Sequence, residues 1–153
     1  MKKSLLCIMI LFTAWSLSAQ EPELRPDGYY LDGKKLNGTL ETYDDNGNLV
    51  AVRIFIDGIE DGISVYYHEN GNKKEERAWS DGVKHGTWIT WTEAGIRTGV
   101  ANYENGQKHG KWFIWDEKGT LRYEMNYDRG ERTGTWLMWD ESGILINEKQ
   151  FEP

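Results

Sequence analysis

The chain has 153 residues and carries 25 Asp and Glu against 18 Lys and Arg, a formal net charge of −7. That length holds about one domain. So acidic a balance is a poor match for phosphate backbones or anionic lipid, so nucleic-acid binding and simple membrane adsorption are disfavoured. The single cysteine, Cys7, excludes an intrachain disulfide.

In chain order, the first element is a targeting segment. Met1-Lys2-Lys3 is a basic start, Leu5 to Trp15 is largely apolar, and Ser16-Leu17-Ser18-Ala19 is a small-residue cleavage site. Residues 1–19 therefore read as a secretory signal peptide, with an apolar core too short to span a bilayer. Export to the periplasm or beyond is the expected localisation. Cleavage removes Cys7, Lys2 and Lys3, leaving 16 basic against 25 acidic side chains, a formal net charge of −9. The segment that follows, residues 20–27 with PELRP at Pro22 to Pro26, has no periodicity and is expected to be a flexible lead.

From residue 28 onward the sequence repeats. Gly38, Gly62, Gly86, Gly110 and Gly134 recur every 24 residues. Five residues after each stands Tyr43, Tyr67, Trp91, Trp115 or Trp139, and nine after each stands another glycine. Seventeen after each is Phe55, Trp79, Tyr103, Tyr127 or Phe151. Residues 28–37 read as a half unit ahead of five full ones. A fixed period of this size marks units that lean on their neighbours. Within each unit, β-formers bounded by glycine flank a loop such as Asp116-Glu117-Lys118-Gly119, a type I turn ending in a left-handed glycine. The expected fold is all-β: an elongated antiparallel β-meander of about ten or eleven strands, in a single-layer sheet.

The columns G-x-W-x-x-W/Y-x-x-x-G and Y-x-N-G-x-x-x-G resemble MORN repeats (membrane occupation and recognition nexus). They are similar to the 24-residue bacterial variant found in proteins labelled YwqK-type antitoxins. The resemblance spans residues 28–153. It departs at Ser64 and Leu40, which stand where later copies have tryptophan, and at the charged run Lys73-Lys74-Glu75-Glu76. It implies a single-layer meander with a binding or scaffolding role.

A straight three-residue hairpin pairs Trp115 with Leu121, Phe113 with Tyr123 and Lys111 with Met125. By alternation, Phe113, Trp115, Leu121, Tyr123, Met125 and Tyr127 then share an apolar face, with Trp112 and Ile114 opposite. Equivalent tryptophans lie two strands apart, about 9.5 Å, too far to stack, so spacers must separate them. Lys73 and Arg97 are expected against the rim aromatics as cation–π partners.

Two tryptophan columns are candidate binding residues: Trp88, Trp112 and Trp136, and Trp91, Trp115 and Trp139. Each also has a structural reading, in which the rings compensate for the missing second layer. His85 and His109 sit in turns too far apart to share a metal ion, and Asp116-Glu117 and Asp140-Glu141 are loop residues rather than a catalytic pair. No metal site, cofactor or nucleophile is read from the sequence. The expected function is a non-enzymatic exported module that binds a protein or envelope component through its aromatic rows. The alternatives are a glycan-binding module with tryptophan platforms and an antitoxin or immunity-type partner. Homo-oligomerisation through the apolar sheet face is a further variant.

Overall fold

The computed structural model describes the backbone of residues 7–9 and the whole of residues 21–152. The signal-peptide reading of residues 1–19 therefore lies, apart from one short strand, outside the described residues. The strands are β1 Cys7–Met9, β2 Glu23–Arg25, β3 Gly28–Leu31, β4 Lys34–Lys35, β5 Gly38–Tyr43 and β6 Leu49–Ile56. They continue with β7 Ile59–Glu60, β8 Gly62–Tyr67, β9 Lys73–Ser80, β10 Val83–Lys84, β11 Gly86–Trp91 and β12 Arg97–Glu104. Last come β13 Gln107–Lys108, β14 Gly110–Trp115, β15 Leu121–Asp128, β16 Glu131–Trp139 and β17 Leu145–Phe151.

From β5 to β17 the ten long strands pair antiparallel in chain order, with β7, β10 and β13 as two-residue extensions beside β6, β9 and β12. This is the expected meander. β1 lies antiparallel along β5, and β2-β3-β4 form a separate three-stranded sheet.

The segment expected to be a flexible lead is instead partly strand: Glu23, Leu24 and Arg25 pair with Tyr30, Tyr29 and Gly28. The reason is local. Pro26-Asp27 between two short strands is a tight turn, with proline setting the first φ.

Two kinds of turn alternate along the ribbon. Units are joined by two-residue turns in which both residues have positive φ: Asp57-Gly58 (49°, 81°), Asp81-Gly82, Asn105-Gly106 and Arg129-Gly130 (46°, 90°). That geometry matches the strand twist and favours Asn or Asp before glycine. Each such glycine N–H also donates to a carbonyl one unit back: Gly58 to Leu36, Gly82 to Glu60, Gly106 to Lys84 and Gly130 to Lys108, at 2.8–2.9 Å. The turns are thereby laced together. Arg129 lacks the short polar side chain that tolerates this conformation, which costs an ordinary residue about 1–2 kcal/mol. Arg129→Asn is expected to stabilise the chain by about 1 kcal/mol in urea unfolding, and a neutral or destabilising result would contradict the strain argument.

Within units, the three-residue loops form as expected. Asp116 N–H donates to Thr120 O at 3.0 Å and Gly119 has φ 84°. Asp116 Oδ1 accepts from the N–H groups of Lys118 (3.0 Å) and Thr120 (2.9 Å), and Asp140 Oδ1 does the same for Ser142 and Ile144. These backbone donors hold the Asp116 carboxyl below its ordinary pKa, Thr120 contributing most.

The register beyond the loop differs from the straight reading. Trp115 does pair with Leu121, but the next pairs are Ile114 with Tyr123, Phe113 with Glu124 and Trp112 with Met125. Arg122 is an extra residue on the return strand, a β-bulge. The same irregularity recurs beside Tyr43, Tyr67, Trp91 and Trp139. One inserted residue transfers a whole strand to the other face. Trp112 and Ile114 therefore share their face with Tyr123, Met125 and Tyr127, whereas Phe113 and Trp115 lie opposite.

Fully buried side chains are few, as a single layer requires. The apolar cluster among them lies where the three-stranded sheet folds over the first hairpin, Leu36, Leu40 and Phe55 with Tyr29 and Leu31 packed against them, while Ser64, Met125 and Tyr127 are buried farther along the ribbon. The joint is made by backbone bonds, Tyr29 N–H to Gly58 O (2.8 Å) and Leu36 N–H to Tyr29 O (2.9 Å).

Candidate binding faces

The bulge brings two aromatic columns onto one face, where they interleave. Trp79, Trp88, Tyr103, Trp112, Tyr127, Trp136 and Phe151 form a continuous ladder with centroid separations of 4.9–5.2 Å. Interplanar angles of 54–63° put ring edges against ring faces, the arrangement that quadrupoles favour. The spacers between the tryptophans of one column are thus the aromatics of the other. Three of the four indole N–H groups also find a carbonyl on the preceding hairpin, Trp88 to Ala78 (2.8 Å), Trp112 to Asn102 (2.9 Å) and Trp136 to Asn126 (3.0 Å), whereas that of Trp79 is buried without a partner.

Cations close the ladder from above. Lys84 lies over Trp88 (4.4 Å) and Tyr103 (5.0 Å), Lys108 over Trp112 (4.6 Å) and Tyr127 (4.7 Å), and Arg132 over Trp136 (4.9 Å). With both neighbours in contact and a cation above, Trp88, Trp112 and Trp136 are packing residues that present no bare platform.

The opposite face carries Trp91, Trp115 and Trp139 along the loop edge. Here the expected spacers stand in place: Arg97 lies 4.4 Å from the Trp115 centroid and Lys73 5.9 Å from that of Trp91. Phe113 stacks on Trp115 at 5.6 Å. Carbonyls in this edge are bridged between units, His68 Nε2 donating to Trp91 O (3.0 Å) and Arg122 Nε to Trp139 O (2.9 Å).

The family model for a MORN repeat variant matches residues 36–57, 60–79, 108–129 and 132–152. The chain belongs to the MORN repeat family. MORN repeats are generally protein- or membrane-binding modules. The stretch between the second and third matches holds the hairpin β11-β12, which makes the same ladder and turn contacts as its neighbours. No curated protein matches the chain. Among the described residues no helix is long and apolar enough to cross a membrane.

The second MORN unit breaks the ladder. Ser64 occupies the tryptophan position and is only 1% exposed, because Arg77, Arg53 and Glu60 fill the space. Arg77 pairs with Glu75 (2.7 Å) and lies over Tyr66 (4.3 Å) and Trp88 (5.3 Å), while Arg53 lies 3.7 Å from Glu60. Burial raises the Glu60 pKa and the two arginines oppose that shift. The histidines are absorbed by turns. Asn105 N–H points at His85 Nδ1 (3.5 Å), and His109 Nδ1 lies between Asp128 (3.3 Å) and Glu104 (3.7 Å).

The two faces also differ in charge, a feature that whole-chain composition hides. On the strands of residues 83–151, the ladder face carries Lys84, Lys108, Arg132 and Lys149 with no carboxylate. Glu104, Glu124, Asp128, Glu131 and Glu148 all project from the other side.

Proposed function

We propose that the chain is an exported, non-catalytic MORN module that holds another protein or an envelope component against the face opposite the ladder. The observation that carries this reading is an apolar patch along the turn edge of the first two units. Ile56 is 55% exposed, Ile63 49%, Val83 45% and Ile59 39%, all on that face. Ile59 reaches the next turn, its Cγ2 lying 2.7 Å from where a Cβ on Gly82 would stand. Contiguous exposed apolar surface on a soluble fold marks a contact site. Trp91, Trp115 and Trp139 extend the same face along its other edge. The N-terminal residues support export, and N-terminal sequencing of the fractionated protein should begin after Ala19.

The decisive experiment identifies a partner by affinity capture from an envelope fraction, then measures the purified pair. Ile63→Glu is expected to weaken binding at least tenfold, about 1.4 kcal/mol, with Lys108→Gln on the other face unchanged. Equal affinity of wild type and Ile63→Glu would remove this surface from the reading. If the captured partner is a second copy, light scattering will show a dimer that Ile63→Glu dissociates.

A further inference from the structure

The ladder face ends in a small built cavity. It holds about 150 Å³ and is lined by Arg132, Lys149, Asn147, Tyr123, Trp136 and Phe151. Arg132 and Lys149 both lie over the Phe151 ring, at 5.6 and 4.9 Å. Neither forms a salt bridge among the described residues, and on the strands of residues 83–151 this face offers no carboxylate to neutralise them. Lys108 and Lys84 continue the same row toward the N-terminus, equally without acidic partners among the described residues.

Two unpaired cations, a neutral amide, a phenol and aromatic walls around one ring-sized space favour a particular chemistry. The cations take a carboxylate or sulfate, and the amide and phenol take the hydroxyls beside it, while the covered rings shape the walls without offering a stacking face. The row beyond the cavity sharpens the choice. Lys84, Lys108 and Arg132 recur every two strands, about 9.5 Å apart, a spacing that suits a polymer with one anionic group per disaccharide.

We propose that this face binds a linear acidic polysaccharide, with one uronate residue seated between Arg132 and Lys149 and the chain running along Lys108 and Lys84. A single-stranded nucleic acid fits less well. Its bases need open ring faces, and every interior ladder ring is already in contact on both sides and capped by a cation. A planar anionic membrane fits less well too, because the cations form a single row along the ribbon rather than a broad patch. The proposal concerns the ladder face and stands independently of the protein-binding surface opposite.

The test is isothermal titration of the intact protein with a hexasaccharide of alternating glucuronate and N-acetylhexosamine, against the same oligomer with its carboxyl groups reduced. The acidic form is expected to bind and weaken with added salt, and the reduced form to bind at least tenfold more weakly. Arg132→Gln and Lys149→Gln should each cost tenfold or more while near-ultraviolet circular dichroism stays native, with Arg132→Lys recovering part of the loss. Lys111→Gln, on the opposite face and paired with Glu124 at 2.6 Å, should bind as wild type. Because Arg132 also covers the ladder, a loss of fold in its variant leaves Lys149→Gln to decide. Equal binding of the reduced oligomer, an equal loss on Lys111→Gln, or comparable binding to polyuridylate or to phosphatidylglycerol vesicles would overturn the assignment.

Discussion

Trp112→Ala is expected to destabilise the chain by about 3 kcal/mol, at the low end of aromatic truncations because the ring is half-buried rather than enclosed. The substitution removes the contacts with Tyr103 (5.1 Å) and Tyr127 (5.2 Å) and the cation–π contact with Lys108 (4.6 Å). It also removes the indole donor to Asn102 O. The loss is not confined to one hairpin. In a chain of units that touch only their neighbours, stability is roughly a sum of unit and interface terms, and Trp112 contributes to both: Tyr127 stands in its own unit, and Tyr103, Asn102 and Lys108 in the one before. Trp115→Ala, on the other face, gives up one Arg97 contact and one stacked phenyl and should cost about 1 kcal/mol. Urea unfolding of the two variants side by side is the measurement. Equal costs would mean that the ladder is not what joins the units.

This contrast reverses what a straight reading of the strands suggests, and the reversal has a single origin. The period, the three-residue loops, the order of the strands and the cation spacers Lys73 and Arg97 were all legible, because each rests on chemistry local to a few residues. The face of Trp112 was not, because it depends on whether the return strand inserts an extra residue. Val50, Lys74, Thr98, Arg122 and Ile146 occupy that position and share no residue type that would announce a bulge. A signal did exist at longer range. Tryptophan at the third position and an aromatic at the eighteenth recur in every later unit, and only a shift of one residue lets them interleave. Burying aromatic surface in a thin sheet has few other solutions. The cation row was hidden for a related reason: which face a lysine occupies is invisible until the register is known, and a net charge of −7 says nothing about faces.

The gap in the ladder provides the sharper test of the same register. Ser64→Trp alone is expected to destabilise by about 1–3 kcal/mol, as forced overpacking does, because guanidinium groups and Glu60 occupy the space. The later units show what must change with it. Opposite Trp88 stands Ala101, and opposite Trp112 stands Met125, where the second unit has Arg77 opposite Ser64. Above Trp88 lies Lys84, at the position that Glu60 holds one unit earlier. Glu60→Lys and Arg77→Ala together therefore convert the second unit to the pattern of the third. In that background the new indole has room between Phe55 and Trp79, a lysine to cover it, and the Ile54 carbonyl as acceptor. Ile54 O already takes the Asp61 N–H (3.0 Å), just as Ala78 O takes both the His85 N–H (3.1 Å) and the Trp88 indole. Ser64→Trp should then stabilise rather than destabilise, which requires a favourable coupling larger than its cost alone, about 3 kcal/mol at the upper end of the range seen for contacting residues. Arg77→Ala also leaves Glu75 without its partner, a cost present in both arms of the cycle that cancels from the coupling. If the tryptophan is as harmful in the converted background as in the native one, the ladder is not transferable between units, and neighbour-by-neighbour assembly of this ribbon fails with it.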